Sequence, residues 1–145
     1  MTTQQLLGRL QEDAKAITEY IRNEVQPASL HILNQKPSAD RWSAIECIEH
    51  LNRYHSFYLD EIERALSRID STSKNEAVKY SWLGKKFITM MEPSNSRQHK
   101  TLKHMNPSNS VLPKNTVEVF LNGQARLQAL LQQAESKNIN AGKVR

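Results

Sequence analysis

The feature that most constrains the fold of this chain is an unbroken helical pattern that begins at Ser43. The segment SAIE has the form of a capping box: the Ser43 hydroxyl accepts from a free backbone N–H, and Glu46 reaches back to the Ser43 N–H. Inward-type side chains then recur at alternating steps of four and three residues: Ala44, Ile48, Leu51, His55, Tyr58, Ile62, Ala65 and Ile69. The spacing predicts one long amphipathic helix over residues 43–69.

A second row of side chains runs beside the first on this helix: Cys47, His50, Tyr54 and Phe57. Two adjacent rows make a wide inward face, wider than one partner helix covers. The sequence therefore predicts a helix that has partners on more than one side.

Two further stretches have the same periodicity. Residues 3–25 carry an apolar stripe before Gln26-Pro27, where the proline ring ends or kinks a helix. Residues 115–135 carry a similar stripe behind a cap at Asn115. Between the first two helices, residues 27–35 are expected to continue as a short helix with Pro27 in its first turn, and residues 36–40 as a loop. Three long helices and four glycines predict an all-α fold.

Residues 71–114 form a long crossover between the second and third helices. A short helix is expected within residues 79–92, whereas residues 93–115 contain three prolines, four serines and four asparagines and are expected to be irregular. We expect Trp82, Met90 and Met91 to plug one end of the bundle. The net charge of this segment is +6 and that of the remainder is −1. This charge has two interpretations. The segment is a solvated basic loop, or Lys85, Lys86 or Lys103 holds an anionic ligand.

Length and composition narrow the function classes. A chain of 145 residues corresponds to one domain, residues 1–145. It has no apolar run long enough to span a bilayer and no secretion signal, so we expect no membrane partner and a cytoplasmic location. The basic segment lacks a recognition helix, which argues against nucleic acid. No glycine-rich phosphate loop, nucleophile elbow or C-x-x-C motif occurs.

The histidines are the candidate chemical groups. His50 lies on the second inward row, and a neutral imidazole is a common ligand of zinc and nickel, so His50 is the candidate metal ligand. A hydrogen-bonded structural histidine is the alternative. His55 points about 140° away from it on a helical wheel, so the two do not share one ion. Cys47 could chelate with His50 or be a small apolar side chain. His99 and His104 lie in the crossover.

The segments RWSAIECIEHL, YSWLGKKFITMMEP, KTLKHMNP and VFLNGQARLQALLQQAE, in this order, resemble the DinB/YfiT-like superfamily. The resemblance implies an up-down-down-up four-helix bundle that is often a homodimer. It also implies a metal-dependent enzyme of thiol-linked transferase or hydrolase type with a small thiol or another small-molecule substrate. A divalent ion, zinc or nickel, would be the cofactor, acting as a Lewis acid or lowering the pKa of a bound water or thiol.

The same resemblance implies three histidine ligands, and His50 matches the first of them. The other two belong to an H-x-x-x-H on a fourth helix, and no H-x-x-x-H occurs in the sequence. The chain therefore has three of the four long helices and one of the three ligands. We expect residues 1–145 alone not to bind a metal tightly at this site. The alternative function is a non-catalytic helical bundle that acts as a stress-related interaction module.

Overall fold

The computed structural model describes residues 1–92, 94–95, 100–108 and 110–141. Within these ranges the chain is all-α, with no strand beyond two isolated bridges. The helices are α1 (Thr3–Tyr20), α2 (Leu30–Asn34), α3 (Ala44–Ser67), α4 (Trp82–Met91) and α5 (Thr116–Ala134). Short 3₁₀ turns occur at Lys103–Met105 and Ile139–Ala141. The predicted all-α class is confirmed, and α1, α3 and α5 are the three long helices that periodicity predicted.

Capping decides where α3 begins, as the sequence predicts. The Ser43 N–H donates to Glu46 Oε2 at 2.8 Å, and the Glu46 N–H donates to Ser43 Oγ at 3.4 Å. The other carboxylate oxygen of Glu46 lies 3.0 Å from Lys36 Nζ, which ties the loop before α3 to this helix. The prediction at Asn115 is confirmed for the position only. The helix α5 begins directly after Asn115, but the Asn115 side chain makes no capping hydrogen bond.

The end of α1 shows how the chain accommodates Pro27. The α-helix ends at Tyr20 and continues as one π-helical turn, Ile21–Val25, in which the Gln26 N–H donates to Ile21 O at 2.8 Å. A proline cannot continue an α-helical hydrogen-bond ladder, so the helix ends before it. The next helix, α2, is capped by Ser29, and its first residue is Leu30. Pro27 thus lies outside α2, and its predicted place in the first turn of this helix was wrong.

Two core clusters define how the long helices run. One combines the end of α1 (Ile21) with the start of α3 (Ile45, Ile48) and the start of α5 (Val117, Phe120, Leu121). The other combines the start of α1 (Leu7) with the end of α3 (Leu59, Leu66) and the end of α5 (Leu130, Ala134). Therefore α1 runs antiparallel to α3 and α5, which run parallel to each other. Because α5 packs on both α1 and α3, it lies between them.

The predicted inward row of this segment is confirmed in part: Ile48, Ala65 and Ile69 are buried, whereas elsewhere the buried side chains lie one residue further along the helix. The structure buries Ile45, Ile48, Asn52, Leu59 and Leu66 against α5. Of the predicted inward positions, Leu51 and Tyr58 are each 44% exposed. Cys47 and Phe57 from the second row are exposed as well. Periodicity finds the amphipathic helix, but Ile45, Asn52, Leu59 and Leu66 belong to neither predicted row, so it does not fix which side of the helix meets α5.

The first residues of the crossover bond to the start of α1 and to the segment that follows α5. The Thr3 N–H donates to Glu76 O at 2.9 Å, and the Ser73 N–H donates to Ser136 O at 3.0 Å. It then forms α4, in which no residue is buried and Trp82 is 76% exposed. The predicted plug of Trp82, Met90 and Met91 over the bundle was therefore wrong. None of the helices in the described ranges has the length and apolar character to cross a bilayer.

Candidate functional site

His50 lies on the side of α3 that the crossover covers. Its Nδ1 lies 2.7 Å from the backbone oxygen of Met105, in the 3₁₀ turn Lys103–Met105. The ring contacts Trp42, with centroids 4.9 Å apart and planes inclined by 52°, and Tyr54, with centroids 4.8 Å apart in an edge-on arrangement of 86°. The ring is half-buried and is held by these two contacts and at one nitrogen.

Arg53 lies about one turn after His50 on α3 and binds the same 3₁₀ turn. Its Nη1 donates to Asn106 O at 2.6 Å and to His104 O at 3.3 Å. Its Nε donates to Glu49 Oε1 at 3.1 Å, which fixes the guanidinium from within the helix. Met105 and Pro107 are buried, so this part of the crossover packs tightly on α3. The Trp42 Nε1–H completes the attachment by donating to Ser108 Oγ at 2.8 Å.

The contact at Nδ1 has a consequence for the other ring nitrogen. A carbonyl oxygen accepts hydrogen bonds and donates none, so Nδ1 must carry the proton. In the neutral ring the lone pair is then on Nε2. Histidines that bind metals commonly donate their other N–H to a backbone carbonyl or a carboxylate in this way. The geometry of His50 therefore fits a metal ligand through Nε2.

The neighbours of His50 do not complete a metal site among the described residues. Within residues 1–92, 94–95, 100–108 and 110–141 no group of three His, Cys, Asp or Glu side chains could hold an ion. Although Cys47 is exposed, the protein removes part of the water around its thiol, which raises the thiol pKa, and the charge of Glu46 adds a smaller effect. A thiol that stays protonated is a poor ligand, since the thiolate binds metals. His104 contributes its carbonyl to Arg53 and has an exposed side chain, and His99 lies outside the described residues.

His55 occupies a different environment on the opposite side of α3. Its ring stacks on Phe120 of α5, with centroids 5.2 Å apart and planes inclined by 20°. Gly123 leaves the space for it, because a Cβ built there would lie 2.2 Å from His55 Nδ1. Burial lowers the pKa of His55. Thus His50 and His55 do not converge on one site, as the helical wheel predicted.

A buried polar layer adjoins His55, and sequence reasoning missed it. The Asn52 Nδ2–H donates to Thr116 O at 3.0 Å, which links α3 to the first turn of α5. Asn52 Oδ1, His55 Nδ1 and Gln124 Oε1 are buried and make no hydrogen bond within the described protein. Gln124 lies on the buried side of α5. The sequence signal for this layer was three polar residues among apolar ones: Asn52 and His55 on α3 and Gln124 on α5.

The three lysines that were predicted to hold an anion, Lys85, Lys86 and Lys103, are exposed. Lys85 and Lys86 are exposed on α4, and Lys86 Nζ lies over the Trp82 ring at 5.4 Å from its centroid. Lys103 is exposed in the turn next to His104. In the described part of the chain, no hydrogen bond or ion pair joins any two of these three lysines to a common partner. The predicted anion site at these residues stays a prediction.

An exposed apolar face runs along α1 and α3 beside the sides that pack on α5. It comprises Leu10 (40% exposed) and Ile17 (46%) on α1, with Leu51 and Tyr58 on α3. At about 100° per residue, the pair on α1 points roughly 60° and the pair on α3 roughly 95° away from the α5-facing side of its helix, and both pairs turn toward the corner opposite α5. An apolar cavity of about 210 Å³ lies at the far end of the bundle between Leu7, Leu66 and Leu130.

Comparison with known proteins returns no relative. No protein-family model, no curated protein and no solved structure matches the chain.

Proposed function

We propose that the chain is a DinB/YfiT-like domain and that α1, α3 and α5 are the up, down and down helices of an up-down-down-up four-helix bundle. The directions of the three helices support this order. The apolar face formed by Leu10, Ile17, Leu51 and Tyr58 supports a fourth helix-sized partner at the corner opposite α5.

We further propose that the function is that of a metal-dependent enzyme of thiol-linked transferase or hydrolase type, in which His50 supplies one ligand to a divalent zinc or nickel ion. The observation that carries this proposal is the contact of His50 Nδ1 with Met105 O, since it leaves the Nε2 lone pair available. One imidazole does not hold an ion for catalysis, which usually takes three protein ligands. The described residues therefore fit one ligand and not a complete site, and we derive no catalytic step from them.

Metal titration of the whole chain tests the role of His50. Isothermal titration with zinc chloride or nickel chloride is expected to give weak binding that is lost in His50→Ala. The control is His31→Ala, because His31 is exposed on α2, where its ring contacts Gln35. Binding that persists unchanged in His50→Ala would contradict the proposal. Tight one-to-one binding that is lost in His50→Ala would instead show that the chain completes the site.

A second candidate is a non-catalytic interaction module, and the exposed apolar face favours it. Monomeric soluble proteins rarely expose a continuous apolar patch unless something binds there. The partner expected from the resemblance is a second copy of the chain in a homodimer. In this reading His50 serves only to attach the crossover to α3, and its substitution would change stability without a metal-dependent effect.

A further inference from the structure

We propose that Arg53 is a positioning residue that holds the His50 ring in one tautomer, with the proton on Nδ1 and the lone pair on Nε2. Isolated neutral histidine favours the opposite tautomer, with the proton on Nε2. The protein must therefore stabilise the less favoured form at His50. The hydrogen bond from Nδ1 to Met105 O at 2.7 Å does so only while that carbonyl stays directed at α3.

Arg53 fixes the carbonyl of Met105 from both sides. The two oxygens that accept from Arg53 Nη1 belong to His104 and Asn106, the residues immediately before and after Met105. The three consecutive carbonyls of His104, Met105 and Asn106 thus bind side chains of α3. The middle one, Met105 O, is the acceptor for His50. Because both neighbouring carbonyls bind the guanidinium, the backbone of the turn is held against α3, and the Met105 carbonyl is kept within reach of the His50 ring.

The guanidinium is itself anchored, so its position does not depend on the crossover. Glu49 lies one turn earlier on α3 and accepts from Arg53 Nε at 3.1 Å. The planar fork of arginine makes these bonds at the same time, which a lysine ammonium on its flexible stem does not reproduce. The path of influence runs from Glu49 to Arg53, then through the 3₁₀ turn to His50.

The tautomer determines which nitrogen of His50 is able to bind a metal. A neutral imidazole binds an ion through the nitrogen that carries the lone pair, here Nε2, and the bonded Nδ1–H orients the ring. This meaning for metal binding rests on the proposed function. The tautomer itself does not, because it follows from contacts within the chain.

Nuclear magnetic resonance of the ring nitrogens tests the inference. The whole chain is labelled with ¹⁵N and measured without metal at mildly alkaline pH, where imidazoles are neutral. Wild-type His50 is expected to show a protonated Nδ1 and an unprotonated Nε2. Arg53→Gln is expected to move the His50 ring toward the Nε2-protonated form, and Arg53→Lys to move it part of the way.

The matched control is Arg64→Gln. Arg64 lies on the same helix and pairs with Glu61 at 2.7 Å, much as Arg53 pairs with Glu49. Its loss is expected to leave the His50 nitrogens unchanged, although it changes the charge of α3 by the same amount. This control separates an effect on the tautomer from a general effect of lost charge.

Two results would overturn the inference: an Nε2-protonated ring in the wild type, or unchanged His50 nitrogens in Arg53→Gln. If Arg53→Gln does not fold, Glu49→Ala takes its place, because it removes the acceptor that anchors the guanidinium. An unchanged tautomer in that variant would also overturn the inference. Since no metal is present in these measurements, the tautomer result and the metal-binding result succeed or fail separately.

Discussion

At the scale of single residues, two histidines five positions apart on α3 have different surroundings. His50 faces the crossover and donates to a backbone carbonyl, whereas His55 faces α5 and stacks on Phe120. The sequence predicts that they point in different directions. It does not predict their partners, because Met105 lies 55 residues away in the chain and in an irregular segment.

The buried His55 predicts a pH dependence of stability. Burial lowers the pKa of its ring from the ordinary value of 6.5, and the groups of α5 that meet the ring, Phe120 and Gly123, do not titrate. The unfolded chain therefore binds a proton at a higher pH than the folded chain does. The free energy of unfolding is expected to fall as the pH drops below about 6.5, and to be insensitive to this group above that value.

His55→Gln tests this origin, since glutamine does not titrate. Urea unfolding measured from neutral to mildly acidic pH should give a shallower decline of the free energy of unfolding in His55→Gln than in the wild type. His31→Gln, at an exposed position of α2, should keep the wild-type decline. An equal decline in His55→Gln and in the wild type would rule out His55 as the source.

Gly123 makes a second prediction at the scale of residues. An added Cβ would lie 2.2 Å from His55 Nδ1, so Gly123→Ala must displace the ring or separate α3 from α5. Such overpacking is expected to lower the free energy of unfolding by about 1–3 kcal/mol. Gly8→Ala is the control, because a Cβ at Gly8 meets nothing within 4 Å. It should raise stability by up to about 1 kcal/mol through helix propensity. Equal effects at the two glycines, measured by urea unfolding, would contradict the close contact.

At the scale of elements, two predicted caps have different outcomes and make a matched pair. Ser43→Ala removes an acceptor used by the Glu46 N–H and disrupts the reciprocal box at the start of α3. We expect it to lower the free energy of unfolding by about 0.5–2 kcal/mol. Asn115→Ala removes a side chain that makes no capping bond at the start of α5, so its effect should be small. Comparable losses in the two variants, in thermal or urea unfolding, would show that the caps are equivalent after all.

The helices themselves were predictable, and the faces they bury were less so. The stripes and the Ser43 box predict α3 to within two residues, because periodicity and capping are local properties. The buried row of α3 is set by α5, which packs on Ile45, Ile48 and Asn52 rather than on Leu51 and Tyr58. The packing of α5 decides which side of α3 is buried, and the sequence of α3 alone does not contain that choice.

At the scale of the whole molecule, α5 lies between α1 and α3 and leaves one apolar face exposed. The order of the helices depends on contacts between distant segments, such as Leu7 with Leu66 and Leu130. The candidate site shows the same dependence. Sequence reasoning selects His50, but Arg53, Trp42 and the turn at Met105 become its surroundings only when the crossover folds back onto α3.

The exposed face predicts self-association. Sedimentation equilibrium of the wild type is expected to show a mass that rises toward a dimer with concentration. Leu51→Glu places a charge in the face and should weaken this association at least about tenfold, or ~1.4 kcal/mol. Val119→Glu is the control, since Val119 is exposed on α5 and outside the face. A monomeric wild type, or equal weakening by both variants, would contradict a dimer formed through this face.

The central claim is that His50 presents Nε2 to a metal while Nδ1 remains bonded to Met105 O. Its most direct test is a zinc chloride titration of the ¹⁵N-labelled chain, followed at the two ring nitrogens of His50. We predict that the Nε2 resonance moves with added zinc while Nδ1 stays protonated. Movement of the His31 or His104 nitrogens alone, with both nitrogens of His50 unchanged, would contradict the claim.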